Sequence, residues 1–113
     1  MPGILISTLG TKSSIVGNVI STSADDGIYC NALYCIITNN NCSGSTAASG
    51  INILGGDQCI LSNNICNSNF KYGILIDNTS DRVIITDNIC LSNSTAQLLN
   101  NGTNTVASNN ILV

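Results

Sequence analysis

The sequence predicts an all-β parallel solenoid of about five coils, each of 22–25 residues. Three observations carry that reading. Gly3, Gly27, Gly50 and Gly73 recur at spacings of 24, 23 and 23, each followed by an apolar–x–apolar triplet. Asn18, Asn40, Asn64, Asn88 and Asn110 recur with an apolar residue or Ala three positions before and an apolar residue two positions after. Ile, Val, Asn, Ser, Thr and Gly dominate a chain that is 43% apolar and only 8% charged, which favours short strands parted by turns over helices. A unit of this length cannot bury its own apolar face, so the units must stack, with equivalent residues about 4.8 Å apart.

The elements follow in order within each copy. The first strand is the triplet after the glycine: Ile4-Leu5-Ile6, Ile28-Tyr29-Cys30, Ile51-Asn52-Ile53 and Ile74-Leu75-Ile76, with a degenerate fifth copy from Gln97 through Leu98-Leu99-Asn100. Further strands flank the recurring Asn. Strand alternation turns the residues three before each Asn inward (Ile15, Ile37, Leu61, Ile85, Ala107), as it does those two after (Ile20, Cys42, Cys66, Cys90, Leu112). The Asn residues then fall in one column at a bend. A side-chain amide both donates and accepts, so such a column can bond from coil to coil. An antiparallel sandwich accounts for the short strands but not for five aligned asparagines.

The same alternation turns two apolar columns outward. One is Ile36, Ile60, Ile84 and Val106; the other is Val19, Ile65, Ile89 and Ile111. Leu5, Tyr29, Leu75 and Leu99 repeat the pattern on the first strand, interrupted by Asn52. Contiguous exposed apolar surface marks a contact. The expectation is a side-by-side homo-oligomer through Ile36, Ile60, Ile84, Val106, Ile65 and Ile89.

The six cysteines share columns with Ile, Leu and Val: Cys42, Cys66 and Cys90 on one, Cys35 and Cys59 on another, Cys30 among isoleucines. A position that takes Cys, Ile or Leu alike is apolar, so the leading reading is a set of buried thiols. A disulfide and a soft-metal site remain alternatives. With no His and no Cys-x-x-Cys, zinc spacing is absent, and no metal or cofactor site is assigned.

The Gly-Ile-x-Ile and Ile-x-x-Asn-x-Ile signatures and the coil length resemble the right-handed parallel β-helix family, the pectate-lyase-like superfamily that includes phage tailspikes, over residues 3–113. The resemblance implies the solenoid fold and an Asn ladder, and it makes a homotrimer the favoured oligomer. It leaves function open, because the scaffold hosts lyases, hydrolases, epimerases and non-enzymatic surface proteins. It also implies capped ends. MPGILIST opens directly in a strand and lacks a signal-peptide pattern, so residues 1–113 read as a single domain that is a segment, toward the C-terminus, of a longer solenoid. The functional expectation is a structural and recognition module of a tailspike, tail fibre or cell-surface protein. It would sit on a virion tail or cell surface and offer loops around Ser43–Ser49 and Asn67–Tyr72 to surface polysaccharide.

The alternative is a carbohydrate-active enzyme fragment, a lyase or glycoside hydrolase. Its candidate catalytic residues are Asp57, Asp77 and Asp81, with Asp57 and Asp81 expected one rung apart, the arrangement of a paired-carboxylate site. Asp is equally a routine turn residue. A lyase needs acidic calcium ligands beside a basic proton acceptor, and no such cluster stands out. Net charge is −3, with Lys12, Lys71 and Arg82 the only basic side chains, which excludes a nucleic-acid-binding face. No apolar run reaches membrane-spanning length. Asn-x-Ser/Thr occurs at Asn41, Asn78, Asn93 and Asn101, as chance alone gives in a chain so rich in these residues.

Overall fold

The computed structural model describes all residues, 1–113. Each coil contributes three strands. The first coil holds β1 (Ile4–Ile6), β2 (Ser14–Val16) and β3 (Val19–Ser21). The second holds β4 (Ile28–Cys30), β5 (Ile36–Thr38) and β6 (Asn41–Ser43), and the third β7 (Ile51–Ile53), β8 (Ile60–Ser62) and β9 (Ile65–Asn67). The fourth holds β10 (Tyr72–Ile76), β11 (Ile84–Thr86) and β12 (Ile89–Leu91), and the fifth β13 (Ala96–Asn100), β14 (Val106–Ser108) and β15 (Ile111–Leu112). Equivalent strands pair in parallel, giving three five-stranded sheets: β1-β4-β7-β10-β13, β2-β5-β8-β11-β14 and β3-β6-β9-β12-β15. No helix is long and apolar enough to cross a membrane.

The register is the one the repeats dictate. Ile4, Ile28, Ile51, Ile74 and Leu98 pair in series, as do Ile15, Ile37, Leu61, Ile85 and Ala107, and Ile20, Cys42, Cys66, Cys90 and Leu112. The smallest extent of the molecule is 23 Å, matching five rungs of about 4.8 Å. These columns meet in one core, where Ile28, Ile37, Ile51, Leu61, Ile74, Ile85 and all six cysteines are wholly buried. The glycine column is enforced by close approach. A Cβ on Gly27, Gly50 or Gly73 would stand 2.6–2.8 Å from a carbonyl oxygen of the next coil and 2.9–3.1 Å from the Cβ of Cys42, Cys66 or Cys90. Small thiol side chains therefore sit where the glycine strand edge comes nearest.

The first four coils each turn three corners and the fifth turns two, and each of these corners uses a left-handed residue. The first uses Lys12, Tyr34, Gln58, Arg82 and Asn104; the second Gly17, Asn39, Asn63, Asp87 and Asn109; the third Thr22, Gly44, Ser68 and Ser92. Left-handed backbone costs an L-residue about 1–2 kcal/mol, least for Gly, Asn and Asp. The second corner is filled only by those three types. The side chain following the left-handed residue enters the corner, which places Asn18, Asn40, Asn64, Asn88 and Asn110 in the second.

Candidate functional site

Interior and exterior were both candidates for function, and the amides of the inner ladder rungs prove to be satisfied. Asn64 Nδ2 donates to Asn88 Oδ1 at 2.9 Å and to the Ile37 carbonyl at 2.9 Å. Its Oδ1 accepts from the Asn40 backbone N–H and from Asn40 Nδ2, at 3.0 and 3.1 Å. Asn40 and Asn88 repeat this four-bond pattern one coil away on either side. With both donors and both acceptors used, these three inner rungs have no capacity left for a ligand, and only the end members Asn18 and Asn110 keep an unused group. The third corner carries a second, shorter ladder that the sequence reading did not identify. Asn69 donates to Asn93 Oδ1 and to the Cys42 carbonyl, Asn93 donates to the Cys66 carbonyl, and Gln97 Oε1 closes the series on Asn93 at 2.7 Å. The signal available was the 24-residue spacing of Asn69 and Asn93, five residues past ladder asparagines. Ser23 and Ser45 in the same column obscured it.

The first corner is built alike but filled differently, with Ser13, Cys35, Cys59, Val83 and Thr105 after the left-handed residues. Cys35 Sγ donates to the Gly10 and Leu33 carbonyls, both at 3.6 Å, and Cys59 Sγ donates to the Ala32 carbonyl at 3.3 Å. Cys59 to Ala32 spans the same 27 residues as Asn64 to Ile37, so the thiols stand in for amides. Cys30 reaches the same corner from β4, bringing three Sγ atoms within 4.8 Å of one another. All six cysteines are free thiols, with no disulfide.

The three carboxylates proposed from sequence do not share one opening. Asp57 and Asp81 are one rung apart, joined by a parallel bridge. Arg82 grips Asp57 with two parallel bonds, Nε and Nη2 at 3.2 and 2.7 Å, and approaches Asp81 at 3.3 Å through Nη1. Asp81 also accepts from Asn104 and Thr103. Asp77 accepts from Thr79, Ser80 and the Gly55 N–H, closing its own turn. The Asn104 hydrogen bond, with Thr103 and the Arg82 charge, holds Asp81 below the ordinary carboxylate range. Burial pushes Asp77 up, but the bonds from Thr79, Ser80 and Gly55 outweigh it and leave it low. Both therefore stay ionised near neutral pH, opposite to what a general acid requires. No pocket adjoins them.

The exterior differs. Ile36, Ile60, Ile84 and Val106 are 36–56% exposed in one unbroken row on the outer face of the second sheet. Val19, Ile65, half-buried Ile89 and exposed Ile111 form the matching row on the third sheet, broken by Asn41. The two rows flank the Asn-ladder corner. Beside the second-sheet row run Thr38, Ser62, Thr86 and Ser108, with Ser62 Oγ donating to Thr38 Oγ1 at 3.0 Å. On the first sheet Leu5 is exposed, while Tyr29, Leu75 and Leu99 are half-buried.

The two loops expected to face solvent are corrected in part. In 43–49, Ser45, Ala48 and Ser49 are buried, because Ser45 caps the loop from inside: its Oγ donates to the Asp25 carbonyl and accepts the Ala48 N–H. Only Thr46 and Ala47 project fully. In 67–72, Asn69 is internal to the second ladder, whereas Phe70 and Lys71 are exposed. Backbone bonds from Phe70 and Lys71 to Ser45 and Ala48 stack the second loop directly on the first.

Parallel sheets of five rungs, three corners per coil and a stacked amide column are the geometry against which relatives are compared. The family model described as right handed beta helix region matches residues 3–113. The chain belongs to that family. This β-helix matches no curated protein and no solved structure. Its fold is consistent with a structural or carbohydrate-binding module.

Proposed function

We propose that this β-helix is a structural and recognition module that associates side by side with copies of itself, as a trimer, on a virion tail or cell surface. The observation that carries this reading is the pair of outward apolar rows flanking the Asn-ladder corner. Rows repeating at the rung spacing need a partner with the same repeat, and a second copy of the chain has it. Packing the second-sheet row of one copy on the third-sheet row of the next is a heterologous contact, which closes into a ring when its rotation divides a full turn. Three copies form the smallest such ring, with the ladder corners at its axis.

In such a trimer the corner between the third and first sheets faces outward. There Thr46, Phe70, Lys71, Ser94 and Thr95 are exposed on successive coils. An exposed phenyl ring beside hydroxyls and one ammonium group suits an acidic glycan. Light scattering tests the association and is expected to return three chain masses. A glycan array tests the recognition, with Phe70→Ala expected to abolish the signal and leave the mass unchanged. The enzymatic reading rests only on the adjacency of Asp57 and Asp81. Release of reducing or unsaturated ends from a glycan panel, lost in Asp81→Asn, is the result that would establish it.

A further inference from the structure

Two trios of cysteine lie in the core, and they differ in shape. Cys42, Cys66 and Cys90 pair in register on consecutive rungs, a straight column. Its outer members stand about two rung spacings apart, near 10 Å, too far to share an ion. Cys30, Cys35 and Cys59 instead form a triangle whose sulfurs all lie within 4.8 Å of one another. A thiolate sits about 2.3 Å from a bound soft ion, so three sulfurs around one ion stand about 4 Å apart.

The repeat accounts for two members of the triangle but not for the third. Cys35 and Cys59 occupy the corner position that the other corners give to Asn or Ser. Cys30 lies in the column Ile6, Cys30, Ile53, Ile76, where the paired strand residues above and below it are isoleucine. It replaces isoleucine only on the coil whose corner residue is Cys35. The glycine beside this corner is a packing requirement and not part of the triangle: a Cβ on Gly56 would meet Ile53 Cγ2 at 2.3 Å but only touch Cys59 Sγ at 3.4 Å.

We propose that Cys30, Cys35 and Cys59 form a three-sulfur site for a soft, thiophilic ion, with arsenic(III) as the charge-matched occupant. Soft thiolates select such ions. All three residues are wholly buried among apolar neighbours, where net charge is costly. Three thiolates on a divalent ion leave one net negative charge, whereas three on a trivalent centre leave none. The exchange balances without any oxidant. Arsenous acid, As(OH)3, meets three thiols, three As–S bonds replace three As–O bonds, and the three S–H protons leave with the hydroxides as three waters.

The test is titration of the reduced chain with arsenite, on the folded chain and again by refolding from denaturant with arsenite present, so that a closed core does not decide the outcome. Native mass spectrometry reads the stoichiometry, and alkylation in denaturant, where every thiol not bonded to arsenic is open, maps the site. The expected result is one arsenic per chain, an unchanged circular dichroism spectrum, and protection of Cys30, Cys35 and Cys59 alone. Cys59→Val and Cys30→Ile, which borrow the residues at Val83 and Ile76 in the same columns, should each lose the arsenic and keep the spectrum. Cys42→Ile, borrowing from Ile20, should retain it. Natively folded chain without arsenic in both arms, protection of Cys42, Cys66 and Cys90 instead, or retention by both Cys59→Val and Cys30→Ile would overturn the proposal.

Discussion

Asn64 and Ile65 are neighbours in sequence and opposites in placement. The amide is wholly buried and the isoleucine is exposed, and a matching contrast spans four residues from exposed Ile36 to buried Asn40 and from exposed Ile84 to buried Asn88. Inside the corner, polar side chains are fully bonded to their own kind; outside it, apolar side chains face water. The interior departs from the ordinary rule at little cost, because the amides of the inner rungs Asn40, Asn64 and Asn88 are matched by neighbouring rungs and backbone carbonyls. The exterior rows have no such internal partner. Buried polarity here is therefore the device that makes the fold, and exposed apolarity is the feature that calls for a neighbour.

The largest effect should come from breaking the inner side. Asn64→Leu keeps the branched shape in a bulkier side chain, orphans the Asn40 N–H, and removes one bond each from the Ile37 carbonyl and from the Asn40 amide, which keeps the Ile15 and Thr38 carbonyls. At roughly 1–3 kcal/mol for the orphaned group, with the two lost bonds and the added bulk on top, the loss should be roughly 3–6 kcal/mol, read from the urea midpoint. Leu61→Ala and Ile60→Ala then compare the two faces of one strand. Leu61 is wholly buried and should cost about 2–5 kcal/mol. Ile60→Ala, measured below the association range, should cost within about 0.5 kcal/mol. Equal costs would mean that the outward row is already covered within one chain.

Asp26 sharpens the comparison through pH. It is buried, accepts the Ser49 N–H and the Asn52 amide, and desolvation raises it above the ordinary aspartate value. A raised folded value means that its favourable contribution is present below the unfolded value and is lost as pH rises through the folded one. Asp26→Asn removes that loss. It also gives the shielded, unpartnered Asn52 Oδ1 a donor once the Asn52 amide turns over. The variant should be more stable than the parent at neutral pH, with the difference vanishing below the unfolded aspartate range, as seen in melting temperatures at two pH values. The smallest effect belongs to Arg82→Gln, an exposed ion pair on a corner, expected to shift the melting temperature least of the set and less still in high salt.

The repeat made most of the fold legible. Gly27, Gly50, Gly73 and the column from Asn18 to Asn110 each obey one local requirement, close backbone approach or an amide at a corner, and such requirements recur at a fixed period. Asn69 and Asn93 were harder to see, because serine fills their column on other coils and Gln97, only four residues after Asn93, closes it from β13. The thiol triangle was not legible, because Cys30 belongs to a different column from Cys35 and Cys59. Reading columns one at a time follows the solenoid axis, while that contact crosses a corner at right angles to it. The 43–49 loop misled for a related reason. Its small polar residues look solvated, yet Ser45 and Ser49 spend their groups on the backbone beneath.

The exposed rows carry the central claim, and sedimentation velocity of the parent chain beside Ile60→Asp/Ile84→Asp tests it most directly. Both should give the same circular dichroism spectrum, since neither position enters the core. The parent should sediment as a trimer and the double variant as a monomer. A parent chain that sediments as a monomer at concentrations where it is fully folded would contradict the account.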